Sequence, residues 1–135
     1  MNAKLHDLLL KHEGLRLFPY TDTVGKLTIG IGRNLSDRGI SNSEAEILFE
    51  NDVRLAELGL KSAFYNYDSF SENRKNALTD MVFNMGLSRF YGFKKMITAT
   101  RSGDWARAAD EMLDSLWANQ VGNRATELAN MVRNG

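Results

Sequence analysis

Leu5, Leu8 and Leu9 recur at helical spacing near the start of the chain, and Gly14 stands where a helix over residues 3–12 would close. The period then changes. Leu27, Ile29 and Ile31 alternate with Thr28, Gly30 and Gly32, the mark of a half-buried strand. A turn at Thr21–Lys26 and an earlier strand over Leu15–Tyr20 precede it. Glycines at 30 and 32 leave one strand face bare, open to close approach by backbone or ligand. Asp37-Arg38-Gly39 marks a further turn.

Helical spacing takes over from Ser41. Ser41 and Glu44 fit a capping box, and the helix it opens carries Ala45, Leu48, Phe49, Val53 and Ala56 on one stripe to about Leu58. Gly59 is expected to end or kink it. Ser71 caps a second helix, with Ala77, Leu78, Met81, Val82 and Met85 inward and Gly86 as its stop. Phe93, Met96 and Ile97 indicate a shorter one. Asp104 caps a helix whose stripe is Trp105, Ala108, Ala109, Met112, Leu113 and Leu116, and Asn123 caps the last, with Leu128, Ala129 and Val132 inward.

This order predicts an α+β fold of one domain. A small N-terminal lobe with a short antiparallel sheet covers about residues 13–42, and a bridging helix covers about 43–58. A larger helical lobe covers about 59–135 and takes in the N-terminal helix. Two short strands bury no core by themselves, so the sheet is expected to lean on helices. A cleft between lobes is the expected binding site.

Composition removes whole classes of function. There is no cysteine among the 135 residues, which excludes a disulfide framework, a thiol nucleophile and thiolate metal sites. His6 and His12 lie six apart and miss the shared helix face of a metal pair, which leaves room for a mixed His/carboxylate metal site but not for a histidine-rich one. Basic and acidic residues balance at 17 each, which removes the global field that would draw the chain to nucleic acid or a membrane. Locally, Arg89, Lys94, Lys95 and Arg101 occupy residues 85–101 with no acid among them, a solvated face or a surface for polyanions. Three leucines in a row are too few for a secretory leader, and nothing approaches a membrane span. Synthesis in a cytoplasm is expected, with release left to another component.

Three polar residues fall where the small lobe changes element: Glu13 at a helix end, Asp22 in the hairpin turn and Thr28 in the strand. An acid and a carboxylate across a gap are the minimum apparatus for glycosidic hydrolysis. In isolation the same residues also read as a surface glutamate, an Asx turn and an ordinary β-former.

The surrounding motif separates these readings. Glu13-Gly14-Leu15-Arg16, then Tyr20, Asp22-Thr23-Val24-Gly25 and Thr28-Ile29-Gly30-Ile31-Gly32 resemble the phage-type lysozymes, the endolysin muramidases of glycoside hydrolase family 24. Ordered matches continue through Met81-Val82-Phe83-Asn84-Met85-Gly86, Trp105, Trp117 with Asn119-Gln120, and Asn123-Arg124-Ala125, almost to the end of the chain.

The resemblance implies a lysozyme-like fold and cleavage of the β-1,4 bond between N-acetylmuramic acid and N-acetylglucosamine in peptidoglycan, with inversion and no cofactor. It places the general acid on Glu13, the water-assisting carboxylate on Asp22 and the water-holding hydroxyl on Thr28. Sugar contacts fall on Phe83 and Trp117, with Asn119 and Gln120 beside them, although both aromatics also read as core. Arg124 falls on the arginine that pairs with the catalytic glutamate. Arg33 and Asp52 fall on a pair linking the small lobe to the bridging helix, with arginine in place of the family's histidine. A segment of the family pattern is missing between Leu35 and Ser41. The family further implies a monomer, acting on the wall in the periplasm after a separate holin-type pore releases it. A non-catalytic peptidoglycan-binding relative and a chitinase-like hydrolase are the alternatives.

Overall fold

The computed structural model describes residues 1–135. Nine helices and three strands follow in the order α1 (Ala3–Glu13), β1 (Arg16–Thr21), β2 (Leu27–Gly30), β3 (Arg33–Asn34), α2 (Leu35–Arg38), α3 (Asn42–Ala63), α4 (Glu72–Met85), α5 (Leu87–Tyr91), α6 (Lys94–Arg101), α7 (Trp105–Leu113), α8 (Leu116–Val121) and α9 (Asn123–Asn134). Two compact units emerge, Met1–Ile47 and Leu48–Gly135, and the division falls inside α3.

In the first unit, Asn2 caps α1 by accepting a hydrogen bond from the Leu5 N–H, and Gly14 at φ 75° turns the chain into β1. The antiparallel sheet has the order β1-β2-β3. Thr28 pairs with Tyr20 on one side and Asn34 on the other. Register shifts between Arg16 and Tyr20, the stretch holding Pro19, which has no N–H to give a ladder. Asn34 caps the short α2, whose Ser36 hydroxyl accepts the Leu27 N–H at 2.9 Å. Helix α1 belongs to this unit, whereas the pattern assigned it to the helical lobe: it joins β1 through two residues, Gly14 and Leu15, and buries none of its own.

The alternation over residues 27–31 turns out reversed. Thr28 is the buried position, 4% exposed, while Leu27 is 45% exposed and Ile31 lies outside the strand. Thr28 sits in the central strand with its hydroxyl donated to the Lys26 carbonyl at 3.0 Å, so its polar atom is satisfied where it is buried. Beyond Gly30 the chain turns into β3, a strand too short for periodicity to reveal.

The second unit holds the core, built from Leu60 and Phe64 of the α3 end, Leu78 and Met81 of α4, Phe90, Met96, Met112, Trp117 and the inner face of α9. Helix α3 runs through Gly59 to Ala63 rather than ending near Leu58. A Cβ at Gly59 would lie on the Leu87 side chain, so this glycine serves packing rather than termination. Its carbonyl accepts the Tyr91 hydroxyl at 2.9 Å. The stripe expected from Trp105 to Leu116 is two helices, because Ser115 donates to the Met112 carbonyl and accepts the Ala118 N–H, closing α7 and capping α8. The last helix is preceded by Gly122 at φ 60°, with Asn123 already inside it. No helix is long and apolar enough to cross a membrane.

Candidate active site

The three residues proposed from sequence for chemistry all lie in the first unit, each on a different element. Glu13 is the last residue of α1 and is exposed. No hydrogen bond or ion pair engages its carboxyl group. Its side chain instead lies against Gly32: a Cβ built there would stand 2.7 Å from Oε2 and 2.8 Å from Cδ.

Asp22 opens the β1–β2 turn and is half-buried. Its Oδ1 accepts the Val24 N–H at 3.0 Å and the Lys26 N–H at 2.8 Å, an Asx arrangement that fixes the carboxylate plane. Oδ2 carries no such bond and is free to take a proton or a water. The turn-forming and functional readings of Asp22 are therefore compatible, one oxygen serving each. Thr28 follows on β2, its hydroxyl held as donor with lone pairs still available to accept.

Arg33 has a different partner from the one expected. Its Nη1 and Nη2 donate to Glu44 Oε1 at 2.8 Å and Oε2 at 2.6 Å, and Nη1 also donates to the Gly39 carbonyl at 3.2 Å. Glu44 closes the capping box as well, accepting the Ser41 N–H at 2.9 Å. The Arg33 fork, aided by Ser41, holds the Glu44 carboxyl down to about 2. Asp52, the partner suggested by the family pattern, is exposed and takes no ion pair. Sequence reasoning found Glu44 as a cap but had no signal for its second role, since a two-residue strand gives no register to read.

The second unit carries the other candidates. Phe83 on α4 is 44% exposed and tilts against Phe49 at 5.8 Å between ring centroids. The two rings border a shallow pocket of about 300 Å³ that also includes Asn76, Asp80 and Arg124. Arg124 is engaged there by Asp80, at 2.8 Å from Nε and 2.6 Å from Nη2. That is not the catalytic glutamate the family pattern pairs it with. Trp117 is 1% exposed and donates its indole N–H to Asn84 at 2.8 Å, so core packing dominates at this residue. A groove of about 500 Å³ passes over it, edged by Arg89, Lys94, Lys95 and Glu111. Gln120 accepts a hydrogen bond from Arg89, and Asn119 is exposed on the same helix. No cluster of three or more His, Asp or Glu side chains is placed to hold a metal ion.

Chemically, the first unit offers an unanchored carboxyl group, an oriented carboxylate with one free oxygen and a fixed hydroxyl. Groups of these types can supply a proton, a base and a water ligand. Comparison with known proteins points the same way. The family model described as Phage lysozyme matches residues 10–133. The "Probable T4-type lysozyme 2" of Dictyostelium discoideum is 31% identical over all of this chain and 96% of its own length. The "Pre-baseplate central spike protein Gp5" of Enterobacteria phage T4 is 30% identical over 99% of this chain and 28% of its own. The "SAR-endolysin" of Escherichia phage Mu is 27% identical over 90% of this chain and 70% of its own.

Proposed function

The chain belongs to the phage lysozyme family and is a peptidoglycan-degrading muramidase, and from that premise we propose that Glu13, Asp22 and Thr28 carry out its reaction. Glu13 protonates the leaving oxygen of the β-1,4 bond between N-acetylmuramic acid and N-acetylglucosamine. Asp22 Oδ2 takes the proton of the attacking water, which the Thr28 hydroxyl orients, and the product is inverted at the sugar carbon. Phe83, Asn119 and Gln120 are the glycan contacts proposed for the second unit, where Trp117 is packed into the core.

The observation that carries this reading is the contrast in anchoring. Asp22 is held in one orientation by two backbone N–H groups that leave Oδ2 open, whereas no hydrogen-bond donor engages the Glu13 carboxyl group. The enzyme acts as a monomer, is made in a host cytoplasm and reaches the periplasmic face of the wall after a separate pore opens.

Mass analysis of fragments released from purified peptidoglycan tests the reaction. New reducing ends on N-acetylmuramic acid are expected. Ends on N-acetylglucosamine, or cleaved peptides, would overturn the bond assignment, and binding without release would favour a non-catalytic relative.

A further inference from the structure

We propose that Gly32 is the positioning residue for the general acid: its bare Cα is the seat that holds the Glu13 carboxyl group, and the Arg33–Glu44 fork holds the seat. This rests on the assignment of Glu13 made above. A Cβ at position 32 would lie 2.7 Å from Glu13 Oε2, 2.8 Å from Cδ and 2.9 Å from Cγ, so any side chain there displaces the acid. Gly32 also stands at φ 72°, in the left-handed region. The neighbouring Arg33 is fixed by two bonds to Glu44 and one to the Gly39 carbonyl, which immobilises the backbone on which Glu13 rests.

The arrangement solves a chemical problem. A carboxyl group positioned by hydrogen-bond donors is stabilised as a carboxylate, which is the wrong state for donating a proton. Glu44 illustrates that outcome, being held by Arg33 and Ser41. Contact with backbone that lacks a Cβ fixes location and adds no donor. Glycine at 32 thus places the acid without a hydrogen-bond donor.

The test compares Gly32→Ala with Gly103→Ala, measuring reducing-end release from purified peptidoglycan, wall binding by cosedimentation, and thermal unfolding. Gly103 stands at φ 74° with nothing within 4 Å of a built Cβ, so its variant carries the backbone strain without the clash. G103A is expected to cleave close to the wild-type rate. G32A is expected to bind walls normally yet lose roughly 10²-fold in rate, the scale of a 1 Å misplacement at a reacting centre. On an E13Q background, G32A should add nothing further. A G32A rate equal to that of G103A, or a full additional loss on the E13Q background, overturns the inference. Wild-type activity in E13Q alone overturns the assignment of Glu13 itself, and the proposal with it. Should G32A not fold, E13A/G32A decides: recovered folding supports the contact, and persistent unfolding overturns it.

Discussion

The two units are built by different means. Residues 48–135 contain every buried hydrophobic residue of the protein, whereas residues 1–47 bury only Thr28. The first unit keeps its shape through caps, an Asx turn, left-handed glycines and the Arg33–Glu44 fork. The carboxyl groups proposed for catalysis gain from this division. A core excludes water and disfavours charge, while a frame of directed polar contacts sets each carboxyl group separately.

Substitutions should therefore separate along the same line. The largest stability loss belongs to the core: Trp117→Ala removes a buried indole and is expected to cost about 3–5 kcal/mol in urea unfolding. By contrast, Phe18→Ala in the first unit, at a residue 82% exposed, should change stability by less than about 0.5 kcal/mol. Equal losses at the two sites would break the comparison.

Next in size is a loss of rate with little loss of fold. Thr28→Val keeps the β-branched shape and removes the hydroxyl proposed to orient water. A decrease of roughly ten- to a hundredfold in reducing-end release is expected, with the unfolding midpoint nearly unchanged. A normal rate in T28V would reduce Thr28 to a strand former.

A smaller, pH-dependent effect belongs to Glu44. Its folded-state value of about 2 lies below the ordinary value of about 4.3 for an unfolded glutamate. The Arg33 contact therefore adds stability above the unfolded value, and that contribution disappears as pH falls from about 5 towards 2. Glu44→Gln should be less stable at neutral pH and show a shallower decline over that window in thermal scans. Parallel declines in the two proteins would mean the fork contributes nothing.

The smallest effect concerns the second unit's surface. Arg89, Lys94, Lys95 and Arg101 are exposed and none pairs with a carboxylate. K94E/K95E should slow lysis of purified walls at low salt, with most of the difference gone near 0.15–0.5 M as the fields are screened. Equal rates at low salt would return this run to an ordinary solvated face.

Much of this was legible in the chain. Asn-, Ser- and Asp-type caps are local signals, and Ser71, Asp104 and the Ser41–Glu44 box stand where the spacing put them. Gly14 and Gly86 close α1 and α4 as expected. What escaped was set by distant partners. Gly59 reads as a breaker until Leu87 is seen against it, and Ser115 divides α7 from α8 with no break in the apolar stripe. Arg33 pairs with Glu44 and Arg124 with Asp80, each within its own unit, partners that sequence spacing does not encode. At the site, Glu13, Asp22 and Thr28 came from a motif, but the seat on Gly32 needed coordinates.

The central claim is that a carboxyl group of the first unit that no hydrogen-bond donor engages, Glu13, supplies the proton for glycan cleavage. Reducing-end release by Glu13→Gln, measured beside its thermal unfolding and wall binding, tests it most directly. The amide keeps the shape and removes the acid, so a loss of at least roughly 10²–10⁴-fold in rate is expected, with folding and binding intact. A folded, wall-bound E13Q protein that cleaves at the wild-type rate would contradict the account.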